Sequence, residues 1–282
     1  MNKKVKYSDN EIATKTQRFY IKAAGFTIKI ILEPTEQIIF KRQMVEAIQK
    51  TWRKGGFLKI TSSTKIDFEI RFTSTPNQMG IIEKNNGKDH YYLALRRDFV
   101  SRKIIAFYFT SLPVLQILMR EILSFLVEKD GFLLHASSCQ DKKGNLKLFL
   151  APSGGGKTTT ANLLSKGRFC VKFSDDLLII RRKKGKWLFF SPPLIEKGTY
   201  PVERKAKLAE MYFVKKSDRV SKEPLMGKDK ILKTIINQIW VRSERLEKET
   251  LANAMSFVAE NEFYLLKATL NAKVMQKLLY ED

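Results

Sequence analysis

One short stretch constrains the fold of this chain more than any other. An apolar run, 146–150, leads into a loop rich in glycine, 151–156, and Lys157 and Thr158 follow directly. The pattern predicts a strand over the apolar run and a helix over 158–164. A strand, a glycine-rich loop, Lys-Thr and a helix in this order are typical of a phosphate-binding P-loop, the Walker A motif.

The residue types in this stretch fit phosphate binding. Glycines let consecutive backbone N–H groups turn towards a phosphate oxygen without a Cβ in the way. The helix N-terminus adds further N–H donors and the positive end of its dipole. Lys157 is predicted to reach the β- and γ-phosphates of a nucleotide, and the Thr158 hydroxyl is predicted to hold Mg²⁺. The predicted nucleotide-binding residues are Ser153, Gly154, Gly155, Gly156, Lys157, Thr158 and Thr159.

The loop departs from the strict pattern at its first position, where Ala151 stands in place of glycine. Alanine is a small change there, because the crowded part of the loop is the glycine run. The alternative interpretation is a glycine-rich turn ahead of an ordinary helix. Lys-Thr in register behind an apolar strand favours the P-loop.

Two adjacent carboxylates, Asp175 and Asp176, follow the next predicted strand, 169–173. Beyond a P-loop helix, such a pair is typical of a Walker-B-type position. One carboxylate can bind Mg²⁺, and the other can accept a proton from an attacking hydroxyl. An isolated Asp-Asp pair at a strand end is otherwise a turn, so its place after Lys157 makes it informative.

A histidine lies in the apolar segment that precedes the P-loop strand. His135 stands within a predicted strand, 132–139, and a turn over 141–145 connects that strand to 146–150. If the two strands pair as a hairpin, the histidine is held near the mouth of the loop. A core histidine with satisfied hydrogen bonds is the alternative, and the local sequence leaves both open.

The charge of the chain is strongly positive. Its 52 Lys and Arg against 29 Asp and Glu give a net charge of +23 over 282 residues. Such a charge suits an anionic partner, such as nucleic acid, a membrane surface or an acidic peptide. A lysine-rich solvated surface is the alternative, and we favour it because the lysines are spread along the chain. The sequence contains no nucleic-acid-binding motif, so nucleic acid is not a predicted partner.

Hydrophobicity and cysteine content favour a cytoplasmic protein. The sequence has no run of about 18 apolar residues, so no membrane-spanning helix is predicted. Residues 1–17 are polar and lack the hydrophobic segment of a secretory signal. The cysteines, Cys139 and Cys170, favour a reduced compartment over a disulfide framework.

The periodicity of the sequence predicts two parts. Residues 1–110 form an α+β region without recognisable chemistry, and residues 111–282 form the α/β part that carries the motifs. In the first part we predict a helix over 35–52 and strands over 19–32 (two, around Gly25), 57–60, 66–72, 79–82, 91–95 and 104–109, with a hairpin turn at 85–88. In the second we predict helices over 112–127, 231–241, 246–258 and 271–280 and strands over 177–180, 187–190, 208–214 and 263–266.

Three motifs together resemble the catalytic core of HPr kinase/phosphorylase. They are Leu134-His135-Ala136-Ser137, the loop from Ala151 to Thr158, and Ser174-Asp175-Asp176. They look most like those of the shorter relatives, which include serine kinases of peptide-biosynthesis clusters; the fold is shared with phosphoenolpyruvate carboxykinase. The resemblance covers roughly 111–282, and its motifs lie within 131–200. It implies an α/β fold with a P-loop kinase domain of the HPr kinase C-terminal type.

The resemblance also implies a role for each matching residue. His135 matches the active-site histidine, Lys157 the phosphate-contacting lysine, and Thr158 the metal-binding hydroxyl. Asp175 matches the residue that takes the proton from the acceptor serine. The implied catalytic residues are therefore His135, Lys157 and Asp175, and Asp176 then lies beside the metal with Thr158.

The match to the family is incomplete. The gap from Gly167 to the aspartates is longer than in the true HPr kinases, and their signature Glu-Ile-Arg-Gly-Leu-Gly is absent. The nearest stretch is 194–198, where the sequence leaves open whether Glu196 is a metal ligand. The missing signature argues against recognition of HPr and against the reverse phosphorylase activity.

The expected function is transfer of the γ-phosphoryl group of ATP, with Mg²⁺, to a serine-type hydroxyl on a protein or peptide. One alternative changes the acceptor to a small molecule such as free serine, or the chemistry to that of a carboxykinase. Another is a nucleotide-binding regulatory module with little turnover, against which Lys157 and the aspartate pair argue. The sequence leaves open the identity of the acceptor and whether the chain is a homo-oligomer.

Overall fold

The computed structural model describes residues 9–59, 65–74, 81–86, 89–107, 112–196, 199–207, 209–242 and 247–280. The chain is a mixed α/β protein whose described strands form three sheets. It divides into two compact units, Met1–Ile122 and Leu123–Asp282. The division at 110/111 that the sequence suggests stays a prediction. Among the described residues, no helix has the length and apolar character needed to span a bilayer.

The first unit is built on a mixed sheet. Its elements are α1 (Asp9–Thr14), β1 (Gln17–Ala23), β2 (Phe26–Leu32), α2 (Ile38–Ile48) with a π-helical turn (Gln49–Arg53), β3 (Leu58–Lys59), β4 (Phe68–Thr73), β5 (Ile81–Asn86), β6 (Asp89–Asp98) and β7 (Lys103–Phe107). The strand order is β3-β1-β2-β4-β7-β6-β5, and β4 runs parallel to both of its neighbours.

The local predictions for this unit are confirmed where the structure describes them. Strands β1 and β2 pair from Gln17 opposite Leu32 to Ala23 opposite Phe26. Their turn contains Gly25, whose φ of +86° is a conformation that side chains resist. Helix α2 buries one apolar stripe and starts three residues after the predicted position. The predicted hairpin of β5 and β6 is present, with 87–88 of its turn outside the described residues. Residues 60, 79–80 and 108–109 of the predicted strands also lie outside them.

The second unit carries the P-loop motif. Helix α3 (Leu112–Val127) includes the last residues of the first unit and the first residues of this one. The other elements are β8 (Gly131–Leu134), β9 (Ser137–Gln140), β10 (Leu146–Leu150), α4 (Lys157–Lys166), β11 (Val171–Ser174), β12 (Leu178–Lys183), β13 (Lys186–Phe190), β14 (Lys205–Ala206), β15 (Ala209–Lys216), β16 (Ser221–Pro224), α5 (Lys228–Ile236), β17 (Ile239–Trp240), α6 (Lys248–Glu260), β18 (Phe263–Ala268) and α7 (Ala272–Tyr280).

The strands of the second unit form two sheets around the P-loop strand. One sheet has the order β11-β9-β10-β15-β18-β16, and the other has the order β14-β13-β12-β8-β17. Strand β10 is buried at every residue because both of its faces are covered, and it runs parallel to β15. An aromatic group of Phe132, Trp187 and Phe257 packs edge to face or tilted in the same unit, which fixes the second sheet against helix α6.

The predicted strand over 132–139 is wrong as a single element. The chain leaves one sheet and enters the other at His135 and Ala136, so β8 pairs with β12 and β17, whereas β9 pairs with β10 and β11. The His135 N–H donates to the Gln238 carbonyl oxygen (2.7 Å), which holds the crossing point. The predicted hairpin with the P-loop strand is confirmed for β9 and β10.

The predicted helix over 231–241 ends earlier than its apolar pattern suggested. Helix α5 stops at Ile236, and Ile239 and Trp240 form β17 opposite Leu134 and Leu133. The apolar side chains continue at helical spacing, but pairing with β8 decides the backbone conformation. The other predicted helices and strands of this unit are confirmed with shifts of one to three residues at their ends, and residue 208 lies outside the described part.

Candidate functional site

The glycine-rich loop connects the end of β10 to the start of α4. Gly154 and Gly156 have φ values of +74° and +100°, which favour glycine. Gly155 is required for another reason, because a Cβ there would lie 2.6 Å from the Ala151 Cβ. The loop therefore needs glycine at each of these positions. The Gly155 N–H donates to the Pro152 carbonyl oxygen (3.0 Å), and the N-terminus of α4 offers N–H donors to an anion.

The lysine of the motif is buried inside this loop. The Lys157 side chain donates from Nζ to the carbonyl oxygens of Ala151 (2.6 Å) and Pro152 (3.3 Å). An ammonium held at a helix N-terminus is repelled by the positive end of the dipole, and the two carbonyls offset that repulsion. The same ammonium is placed to exchange these carbonyls for phosphate oxygens.

The first aspartate of the pair is nearly inaccessible to solvent. Asp175 is 3% exposed and follows the last residue of β11. Its Oδ2 accepts from Lys172 Nζ (2.8 Å). The Ser137 hydroxyl donates to the Asp175 backbone carbonyl oxygen (2.7 Å), and Ser137 Oγ also lies 3.2 Å from Asp175 Oδ1. The Ser137 hydroxyl also lies 3.3 Å from Thr158 Oγ1. A single serine therefore links the aspartate to the hydroxyl of the P-loop.

A second bridge joins Asp175 to the P-loop helix. Lys172 Nζ donates to Asn162 Oδ1 on α4 (2.8 Å) as well as to the aspartate. The side chain spans from an edge strand to a helix, and burial makes its charge costly unless both partners are present. The two bridges fix the position of Asp175 relative to the P-loop and its helix.

The second aspartate faces the histidine. Asp176 Oδ1 lies 2.8 Å from His135 Nε2, and the two side chains are 35% and 46% exposed. The histidine is neither in the core nor isolated, because the break between β8 and β9 brings it to this edge of the sheet. Unlike Asp175, this carboxylate is accessible to a substrate.

Glu196 holds the turn that carries both aspartates. Its carboxylate accepts from the backbone N–H of Asp175 (2.5 Å) and of Leu177 (2.9 Å). The Ser174 hydroxyl donates to the Leu177 carbonyl oxygen and lies 3.3 Å from Glu196 Oε1. Burial raises the pKa of the Glu196 carboxyl above its ordinary value, although these N–H donors act in the opposite direction. The oxygens are directed at the turn, so in this structure Glu196 is a positioning residue.

Replacing Glu196 by glutamine tests this positioning role. An amide has one oxygen for the two N–H donors and turns an NH₂ towards the other, so one buried N–H loses its acceptor. We expect Glu196→Gln to lower the free energy of unfolding by about 1–3 kcal/mol. We also expect the rate of product formation by phosphoryl transfer to fall by about tenfold or more, because the turn shifts.

The measurements for that variant are denaturant unfolding and the rate of product formation. Glu203→Gln is the matched control, because Glu203 is exposed on the same segment and such surface changes stay within about 0.5 kcal/mol. Equal stability of Glu196→Gln and the control would show that the turn does not depend on the carboxylate.

The residues present fit a divalent cation that is shared with a substrate. Within the described part of the chain, no three His, Cys, Asp or Glu side chains come together to hold a metal by themselves. Mg²⁺ is commonly held by one or two carboxylates together with substrate phosphates and waters. Thr158 and one of the two aspartates supply such a partial set of oxygen ligands.

The structure brings together most of the residues that the sequence singled out. Thr158 and Asp175 are joined through Ser137, and Asp176 contacts His135. Lys157 precedes Thr158 and contacts the loop carbonyls. The exposed part of the loop is Pro152–Gly154, and Thr159 is also exposed. Sequence reasoning did not assign roles to Ser137, Lys172 and Asn162. Ser137 belongs to the motif Leu134-His135-Ala136-Ser137, so a role for it could have been inferred from the sequence. The roles of Lys172 and Asn162 are recognisable only in the tertiary structure.

Comparison with known proteins gives a distant structural relationship. No protein-family model and no curated protein matches the sequence. Among solved structures, the chain is similar to "Structure of the Hpr(Ser) kinase/phosphatase from Coxiella burnetii", with 10% sequence identity and a TM-score of 0.30. The match covers 53% of this chain and 88% of that chain. A TM-score this low supports no inference about function.

Proposed function

We propose that the protein is a kinase that transfers the γ-phosphoryl group of ATP, with Mg²⁺, to a serine-type hydroxyl on a protein or peptide. The observation that carries this proposal is the Ser137 hydroxyl, which contacts both Asp175 and the Thr158 hydroxyl. It links a loop suited to phosphate with a carboxylate pair suited to metal and proton chemistry. We also propose that the second unit is a P-loop domain of the HPr kinase and phosphoenolpyruvate carboxykinase type.

In this transfer the chain binds, orients and neutralises charge. The loop N–H groups and Lys157 bind the phosphates, and the ammonium stabilises the charge that develops on the transferred group. The serine oxygen forms a bond to the γ-phosphorus while the bond to the β,γ-bridging oxygen breaks. ADP leaves with that electron pair, and the serine proton passes to a carboxylate. When bound, Mg²⁺ neutralises negative charge on the phosphate oxygens.

The contacts support one division of roles between the aspartates over the other. Asp175 is buried, is paired with Lys172 and is linked to Thr158 through Ser137, which suits a carboxylate on the metal side. Asp176 is partly exposed beside His135, which suits the group that accepts the serine proton. The family resemblance implies the reverse, with Asp175 as the base. On the basis of the contacts, we propose Asp176 as the proton acceptor. The assignment of Asp175 as the base is the competing hypothesis.

The acceptor is proposed to be a protein or peptide other than HPr. The turn that carries the aspartates is held here by Glu196 from a segment without the family signature, and the chain has a net charge of +23. A basic protein attracts acidic polypeptides at low ionic strength. This attraction is screened over about 10 Å at roughly 0.1 M salt, so the reaction should be salt-dependent.

The test is ADP formation and label transfer from radioactive ATP with four additions: a serine-containing acidic peptide, free serine, purified HPr, and no acceptor. We expect Mg²⁺-dependent labelling of the peptide, weaker at high salt, and little turnover otherwise. EDTA should abolish it. Turnover with free serine alone would indicate a small-molecule kinase, and stoichiometric labelling of HPr would place the chain with the HPr kinases. ATP binding without turnover under every condition would indicate a regulatory module.

A further inference from the structure

A groove lies beside strand β11, and Asp175 is among the residues that line it. It has a volume of about 380 Å³ and is lined on one side by the consecutive residues 170–175. The rest of the lining comes mainly from the described segments 191–196 and 199–204, including Pro192, Pro201 and Arg204. The lining follows strand β11 as far as Asp175, whose carboxylate is linked to the Thr158 hydroxyl through Ser137.

Strand β11 is an edge strand, and its residues line this groove. It is the first strand in the order of its sheet and pairs on one side with β9. Over the described residues, no backbone hydrogen bond connects 171–174 with the segment 191–204 across the groove. Prolines at 192 and 201 lack an N–H, so this wall is poorly suited to pairing with the strand.

The rim and wall of the groove favour an extended ligand with apolar and acidic side chains. Val171, Tyr200 and Val202 are 47%, 43% and 46% exposed, which is high for apolar side chains at one place. Arg204 is half-buried, and no carboxylate of the described chain forms a salt bridge with its guanidinium. A partly buried guanidinium favours a carboxylate as its hydrogen-bonding partner.

We propose that the acceptor polypeptide binds as an added strand on the outer edge of β11, with an acidic side chain near Arg204 and its serine at the Asp175–Asp176 end. An extended peptide supplies main-chain hydrogen bonds to the strand, and alternate side chains enter the groove. Four residues of β11 span roughly 13 Å, so a short segment is enough. This inference rests on the proposed kinase function and specifies how its acceptor is recognised.

The backbone of the acceptor is the first test. The probe is a nonapeptide in which valine and glutamate alternate around a central serine, and a second peptide has lysine in place of glutamate. We expect faster labelling of the glutamate peptide. N-methylation of alternate backbone amides should reduce labelling about tenfold or more, whereas methylation of the intervening amides should change it about twofold. Equal sensitivity at every amide would overturn the added strand.

The groove is tested with Arg204→Glu and Arg204→Gln. Both should raise the concentration of glutamate peptide required for half-maximal rate, the first by about tenfold. Arg204→Glu should also reduce or reverse the preference over the lysine peptide. Lys186→Glu is the control, because it changes the charge equally on the exposed end of β13 and should leave the preference unchanged. Thermal unfolding checks that the variants are folded.

Independent measurements separate failure of this inference from failure of the kinase proposal. Binding of a non-hydrolysable ATP analogue reports on the P-loop alone, and hydrogen exchange with added peptide reports on 171–174. Analogue binding with transfer to free serine, but no peptide labelling and no protection of β11, would overturn the inference and leave a kinase. Association of two copies through β11 would also overturn it. Such association would be seen by sedimentation and abolished by a mutation of Val171 that leaves the labelling of the peptide unchanged. Absence of analogue binding would remove both proposals.

Discussion

Replacing Lys157 by alanine should lower the rate of phosphoryl transfer by about 10³-fold or more. The loss of an oriented positive charge at the transferred phosphate removes charge stabilisation that is strongest in the transition state. Lys157 is buried and donates to two loop carbonyls, so the substitution should also reduce the free energy of unfolding by about 1–3 kcal/mol.

The rate is measured by single-turnover transfer from ATP, and the stability by denaturant unfolding. Lys166→Ala is the matched control, since Lys166 lies exposed in the last turn of the same helix. It should leave the rate within about twofold. Transfer by Lys157→Ala at the wild-type rate would show that the phosphate site lies elsewhere in the chain.

Replacing Asp176 by asparagine should lower the rate of phosphoryl transfer by about 10²- to 10⁴-fold while nucleotide binding persists. The amide keeps the shape of the side chain, but it cannot accept the serine proton. Asp176 is partly exposed, so stability should change little. Asp175→Asn should instead raise the Mg²⁺ concentration needed for activity. It should also destabilise the fold, because Lys172 would lose the carboxylate that partners its charge.

Magnesium titrations, analogue binding and unfolding distinguish the two variants. The competing division of roles predicts the opposite pattern, with the proton-transfer defect in Asp175→Asn and the metal defect in Asp176→Asn. Identical effects of both substitutions, restricted to metal binding, would contradict either division. The His135–Asp176 contact also predicts that His135→Ala affects transfer more than Mg²⁺ response.

Local physical rules explain why much of the second unit was predictable. The P-loop strand, its glycines and the following helix depend on short-range steric and hydrogen-bonding preferences, and the structure places each where the sequence predicts. Hairpins β1–β2 and β12–β13 were predictable for the same reason, since their turns contain residues that tolerate positive φ at Gly25 and Gly185. The elements themselves, and the order of the motifs along the chain, required no tertiary information.

Pairing between distant segments defeated the local pattern in two places. The segment 132–139 has the apolar character of one strand, yet it serves two sheets and changes sheet at His135. Ile239 and Trp240 continue a helical spacing, yet they pair with β8. Most of these apolar side chains are buried as the pattern predicts, although Trp240 is half-buried. The backbone conformation depends on partners that lie elsewhere in the chain, up to about a hundred residues away for the pairing of β8 with β17.

The sequence by itself determined that a glycine loop, a lysine, a hydroxyl and two aspartates follow one another in the order of a phosphate site, because each belongs to a local pattern. Only the tertiary structure decided how they act together. Ser137 links Asp175 to Thr158, His135 reaches Asp176, and Glu196 secures their turn from about twenty residues away in the chain. Such contacts depend on sheet order and on which strand lies at an edge, and periodicity carries no information about either.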